Sequence, residues 1–247
     1  MTLDLLTEEQ WLDFWANYKA LPGQKKGVLQ LRQDMLSAKA GLLGADSDWI
    51  KSYRDNPKPP APKVMNRLAD VIYFRQTDST IAGRAHNMCF SSTMAMFADY
   101  FRPGTFPLPN GDDEYLKLLE GDGGQSGEAA DHIRLLGKLG IKAEFVMDAG
   151  WDDLEEQIHK GNPIGVGWYH NGPASTPKRD HGHWSLVVGI NGASVHMNDP
   201  NGEADLVNGG YLPNLNGKGL TYSRKNWGPR WMAEGANTGW AIIYKGA

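Results

Sequence analysis

Residues 183–200, HWSLVVGINGASVHMNDP, restrict the architecture more than any other stretch of the chain. An apolar run sized for one buried strand leads into Asn191-Gly192, the strongest short signal for a hairpin. A second strand-like run follows and ends in Asn198-Asp199-Pro200. A tight turn can only join antiparallel strands, so this part of the fold must be an antiparallel sheet. The same turn sets the start of the first strand beside the end of the second, which makes neighbours of His183 and Asp199 although 16 positions separate them. Alternation puts Val195 and Met197 on the face of Asp199, so the carboxylate points to the covered side of the sheet. A carboxylate held there can accept the Nδ1 proton of the His183 imidazole, fix its tautomer and stabilise its charged form.

The rest of the chain alternates between the helical and the strand period. IKAEFVM (141–147), PIGVGWYH (163–170) and GWAIIYK (239–245) read as strands. Residues 126–140, SGEAADHIRLLGKLG, read as a helix with suitable residues at both ends, and 150–161 as a helix stopped by Gly161. A loop rich in Pro, Gly and Asp separates the Cys89 segment from Ser126, and NGPASTPKRDHG (171–182) forms a second long loop. Upstream, Thr7 to Gln10 has capping-box spacing ahead of Leu12, Trp15 and Tyr18, and two further apolar stripes run over 28–43 and 47–53. Four prolines in NPKPPAPK (56–63) make an extended spacer. The organisation expected is therefore a helical unit over 1–56, a linker over 57–63 and an α+β domain over 64–247. In that domain a helical side packs on an antiparallel sheet and leaves a cleft between them.

Charge and composition remove several classes of function. The net charge is −4 and no run of Lys or Arg exceeds two, so a polyanion finds no basic track and nucleic acid is not an expected partner. No apolar stretch nears the roughly 18 residues that span a bilayer, so a membrane is not expected either. The opening MTLDLLTEEQ is acidic and lacks an apolar export core, which predicts synthesis into a cytoplasm without a signal peptide. A chain with one cysteine makes no internal disulfide, and its thiol suits a reducing compartment or a working thiolate.

That cysteine, Cys89, opens HNMCFSSTMAMFADYF (86–101), where Phe90, Met94, Phe97 and Phe101 recur at helical spacing and Arg102-Pro103-Gly104 ends the run. A thiol at a helix N-terminus beside an imidazolium is lowered toward the reactive thiolate. A buried cysteine in a core helix is the plainer alternative. The ordered set Cys89, His183 and Asp199, each at the end of a predicted element, favours the nucleophile.

C-x-S-S-x-x-A-M from Cys89, G-H-W-x-L-V-V-G around His183 and the strand-ending N-D-P together resemble the papain-like cysteine peptidases of the bacteriocin-processing type, peptidase family C-39 and its relatives, over about residues 70–200. The resemblance implies a papain-like fold, Cys89 as nucleophile, His183 as general base and acid, and Asp199 as orienter. It also implies an upstream Gln as oxyanion-hole donor, for which YFRQTDS offers Gln76. Gln76 lies 13 residues before Cys89, a longer spacing than in compact members, so the intervening loop must fold back. FWANYKALPGQ (14–24), HNGPASTP (170–177) and YSRKNWGPRWMAEG (222–235) are similar to a phage and bacterial branch, marine cyanophages in particular. The implied activity is hydrolysis of peptide or amide bonds through a thioester, without a cofactor or metal. Peptidoglycan stem peptides are the preferred substrate, in lysis or penetration of a host by a phage, which would carry the protein to a virion or a host cell envelope. Leader-peptide processing, acyl transfer on the same fold and a catalytically silent binding module stay open, as does the oligomeric state.

Several residues compete for attention. His181 and His183 form an H-x-H pair, but no cluster supplies the remaining zinc ligands and a solvated His181 is expected. His132 and His159 read as polar-face residues of helices, and His86 and His170 as cleft-lining residues without a chemical role. Trp227, Trp231 and Trp240 suit core and sheet-edge packing better than a sugar platform.

Overall fold

The computed structural model describes residues 67–213 and 215–246, so the helices read over 7–18, 28–43 and 47–53 and the proline spacer lie outside the described residues. Residues 65–247 cluster as one unit. Its elements are α1 (Cys89–Phe101), α2 (Gly111–Gly121), α3 (Ala129–Lys138), β1 (Lys142–Ala149), α4 (Trp151–His159), β2 (Ile164–Tyr169), β3 (Gly182–Ile190), β4 (Ser194–Asn198), β5 (Leu220–Ser223), α5 (Arg224–Trp231) and β6 (Gly239–Gly246). Three-residue 3-10 turns at Gln76–Asp78 and Ala85–Asn87 precede α1.

The six strands form one antiparallel sheet in the order β1-β6-β2-β3-β4-β5. β6 is thus threaded between β1 and β2, so the sheet is complete only once residues 239–246 have joined it. The α+β architecture expected from the sequence is present, and the sheet is covered on both faces. On one face α1 lies so close to β2 that a Cβ at Gly165 would stand 2.4 Å from the Met94 methyl carbon. On the other, Trp168 of β2 meets Trp227 of α5 with ring centroids 6.5 Å apart. This double cover is why PIGVGWY reads as an unbroken apolar run rather than an alternating one.

α1 is buried from Phe90 through Asp99, because it is enclosed by the sheet and by α2 and α3. Helix α2 fills what reads in the sequence as a loop. Its signal is short, with Tyr115, Leu116 and Leu119 buried behind an acidic first turn. α3 starts at Ala129 and not at Ser126, whose side chain turns to α1 instead of capping. It ends as expected at Gly140, where φ is +75° and the amides of Gly140 and Ile141 bond back to Gly137 and Leu136.

The β3–β4 hairpin forms with a different turn. The Asn191 amide bonds to Ser194 O, and its side-chain oxygen accepts from the amides of Ala193 and Ser194 at 2.9 Å each. The connection therefore spans three residues, 191–193, and is held by an Asx arrangement, with Gly192 outside the left-handed region. Val188 is the extra residue of a bulge in β3 between Val187 and Gly189, and beyond it Leu186 pairs with Asn198.

Candidate active site

Cys89 is the first residue of α1, whose N-cap, Met88, supplies no side-chain cap. The positive end of the helix is thereby left facing the sulfur. Burial acts to raise the Cys89 thiol, but a hydrogen bond with His183, the His183 charge, and the amides of Trp184 and Phe90 aimed at the sulfur outweigh it, so the thiol is lowered from its ordinary value. His183, the second residue of β3, is 3% exposed. Burial opposes its charged form, yet the Asp199 carboxylate, the bond to it and the Cys89 thiol raise it well above an ordinary histidine. The opposite directions of these two shifts favour a thiolate facing an imidazolium.

His183 donates through Nε2 to Asp199 Oδ1 at 2.7 Å. Its partnership with Cys89 then falls to Nδ1. The sequence reading assigned Nδ1 to Asp199, and the structure reverses the two nitrogens. The ring orientation is fixed by Trp168 and Tyr211, both edge-on with centroids 5.5 Å away. Asp199 is fully buried. Its Oδ1 also accepts from the Asn201 amide at 3.0 Å and from Tyr211 at 3.5 Å, and its Oδ2 from Tyr222 at 3.1 Å. Tyr73 donates to the Asp199 carbonyl at 3.0 Å and accepts from the Gly217 amide at 3.0 Å. A Cβ at Gly217 would stand 1.8 Å from the Asp199 carbonyl oxygen, so only glycine fits there.

Gln76 is 3% exposed and faces the same cavity as Cys89 and His183. Residues 79–84 fold back, and Gln76 Nε2 donates to Ala85 O at 2.9 Å. That bond fixes the amide's orientation, since the reversed amide would set two oxygens face to face, and the second Nε2 proton stays free. Among the described residues, Gln76 Oε1 is buried without a partner.

The cavity holds about 930 Å³. Its sheet side carries Trp184, whose ring stacks on Phe90 at 3.7 Å, and Trp240, which is 42% exposed. Its helical side carries the glycine-rich 124–127 and the Arg84–Glu120 ion pair. His86 and His170 line it, and His181 is exposed, all three as the sequence indicated. Among the described residues no group of three His, Cys, Asp or Glu side chains converges as a metal ion requires, and no helix is long and apolar enough to cross a membrane. Trp227 and Trp231 are core residues, so of the three tryptophans only Trp240 meets the cavity. His132 departs from expectation, being wholly buried, while His159 is exposed.

Sequence reasoning missed Tyr73, Tyr211 and Tyr222 around Asp199. No local pattern marks them, since each arrives from a different segment. Trp184 could have been found, because it follows His183 directly and strand alternation turns it to the helical side.

No curated protein sequence matches the chain. Among solved structures, a protein from Bacillus anthracis described as a C-39-like peptidase is similar at 15% identity and TM-score 0.47, covering 73% of this chain and 97% of its own. A double-glycine-motif protease of an AMS/PCAT transporter, solved in complex with the leader peptide, is similar at 17% identity and TM-score 0.42, covering 74% and 97%. The family model described as papain-like cysteine protease AvrRpt2 matches residues 65–207, more than half of the chain and the whole of the Cys89–His183–Asp199 arrangement. By that match the chain belongs to the papain-like cysteine proteases of the AvrRpt2 family.

Proposed function

We propose that the protein hydrolyses peptide bonds with Cys89 as nucleophile, His183 as general base and acid, Asp199 as orienter and Gln76 as an oxyanion-hole donor. One observation carries this reading: a buried imidazole that bonds a fully buried carboxylate at 2.7 Å and faces the chain's sole cysteine in the same cavity. The Cys89 thiolate attacks the scissile carbonyl carbon, and the C=O electron pair moves to oxygen. Gln76 Nε2 and the amide at the uncapped start of α1 donate to that oxyanion. His183 then gives its Nδ1 proton to the leaving nitrogen as the C–N bond breaks, leaving a thioester on Cys89. Water loses a proton to His183 and attacks the thioester, the C–S bond breaks, and the carboxylic acid departs with the thiolate restored. Asp199 keeps Nε2 protonated throughout and stabilises the imidazolium.

The substrate we favour is the stem peptide of peptidoglycan, in lysis or penetration of a bacterial cell by a phage. Support comes from the phage-like segments 14–24, 170–177 and 222–235, and from a cavity lined by side-chain amides and aromatic rings that suits a peptide next to a sugar. The test incubates the protein and its Cys89→Ala variant with purified sacculi and, in parallel, with a leader-bearing precursor protein, and identifies released termini by mass spectrometry. New carboxyl termini from sacculi, absent with Cys89→Ala, are expected. Cleavage of the precursor alone would replace the substrate, and amide formation with an added amine would mean acyl transfer. No turnover despite rapid Cys89 alkylation would leave a silent binding module.

A further inference from the structure

The helical wall of the cavity runs through Gly124-Gln125-Ser126-Gly127, preceded by Gly123, a segment with almost no side chain to hold it. Its position is set by bonds to its neighbours. The Gly124 amide bonds to Leu119 O at 2.9 Å and the Gln125 amide to Asp131 Oδ2 at 2.8 Å. Ser126 Oγ meets Ser91 Oγ at 2.7 Å and donates to Asn87 O at 3.3 Å, on either side of Cys89 in the chain. The Ser126 carbonyl is held by His132 Nε2 at 3.1 Å.

His132 is fully buried, and both ring nitrogens are engaged in one tautomer. A carbonyl oxygen only accepts, so Nε2 must carry the proton. In the neutral ring that full burial favours, Nδ1 is then a lone pair, and it accepts the Tyr115 hydroxyl at 3.0 Å. The ring lies 4.0 Å from Phe90, whose other side stacks on Trp184. Phe90 and Trp184 are the residues whose amides approach the Cys89 sulfur. His132 therefore stands where wall, nucleophile helix and sheet meet, without touching the cavity's reacting atoms.

We propose that His132 is a positioning residue for substrate: a permanently neutral imidazole that sets the 123–127 wall at the distance from Cys89 an extended peptide requires. The proposal rests on the peptidase reading of the cavity. Burial, which pushes His132 down to about 4, agrees with the tautomer that the two bonds dictate.

Two amide variants separate positioning from bulk. His132→Gln carries its NH₂ to the place of Nε2 and can still hold Ser126, whereas His132→Asn reaches only toward Tyr115. Each is reacted with iodoacetamide, which needs no wall, and with benzyloxycarbonyl-Phe-Ala-fluoromethyl ketone, which must lie along it. His132→Asn is expected to slow the peptidyl reagent about tenfold or more while iodoacetamide stays within about twofold, and His132→Gln to restore the peptidyl rate. Equal peptidyl rates in the two variants, or a matching loss with iodoacetamide, would overturn the proposal. Slow iodoacetamide reaction in the unmodified protein would instead count against the peptidase reading. Nitrogen NMR of the unmodified protein gives an answer that needs no variant to fold. A neutral, Nε2-protonated His132 from pH 5 to 8 is expected, and a titration near 6.5 would overturn the assignment.

Discussion

Asp199 receives hydrogen from His183, Asn201, Tyr211 and Tyr222, and all four contacts need an acceptor. A carboxylate meets that demand, and its charge raises His183 beside Cys89. The sign of the pH dependence follows from the two shifts. The thiolate, lowered from an ordinary thiol, persists as pH falls below about 8.5 and is lost only as pH drops through the lowered value. The imidazolium, raised above an ordinary histidine, survives until pH climbs through the raised value. Iodoacetamide should therefore react rapidly at neutral pH, and His183→Ala should move the midpoint of that reaction up toward about 8.5. A midpoint already near 8.5 in the unmodified protein would sink the ion pair. On peptide, Cys89→Ala and His183→Ala should each abolish turnover, because the two act as a unit. Asp199→Asn should lose at least about tenfold less, because an amide oxygen can still orient Nε2–H. The pairing of His183 with Asp199 was legible in the sequence because strand period and hairpin register are local rules. Which nitrogen faces which partner was not, since it depends on a ring rotation set by Trp168 and Tyr211 from other strands.

Between α1 and α2, Asp112 is 1% exposed and accepts the Ser92 hydroxyl at 2.6 Å. Burial pushes its carboxyl up from 3.8 to about 6, against the Ser92 bond and with help from Asp113. A carboxyl raised on folding favours the folded state most below its unfolded value, and that contribution fades as pH rises from about 4 through 6. The cost at neutral pH is about 2–3 kcal/mol. Asp112→Asn keeps an acceptor for Ser92 without the charge. It should raise the melting temperature at pH 7 and leave it nearly unchanged at pH 4, and thermal melts at the two values decide the matter. This same α2 was invisible in the sequence, where Pro107, Pro109, Gly111 and two aspartates outweighed three apolar residues. Helix α5 was missed for a similar reason, since Gly228 and Pro229 interrupt it. The longer periodic segments, α1, α4, β1, β2 and β6, were recognisable because their burial follows the 3.6 or 2 period or a continuous apolar run.

At the scale of the whole molecule the site draws on segments scattered from Tyr73 to Tyr222. β6 enters between β1 and β2 from the far end of the chain. Such an order rests on pairings between distant residues, which no local pattern encodes. One side chain ties several of these distant pieces together. Arg230 is fully buried, and its five N–H groups go to the carbonyls of Tyr169, Asn171, Gly172 and, twice, Leu206. Lysine has three donors on a single centre and cannot span that spread. Arg230→Lys should cost about 2–4 kcal/mol in urea unfolding, and a loss under about 0.5 kcal/mol would show the clamp to be dispensable. Among the described residues no carboxylate forms an ion pair with Arg230: all five hydrogen bonds end on carbonyl oxygens, and Asp205 acts on the guanidinium only through its charge at longer range. Brine or mildly acidic fluid leaves those carbonyls as acceptors, so the end of the cleft that bears His170 should lose only the share of that hold which Asp205 supplies.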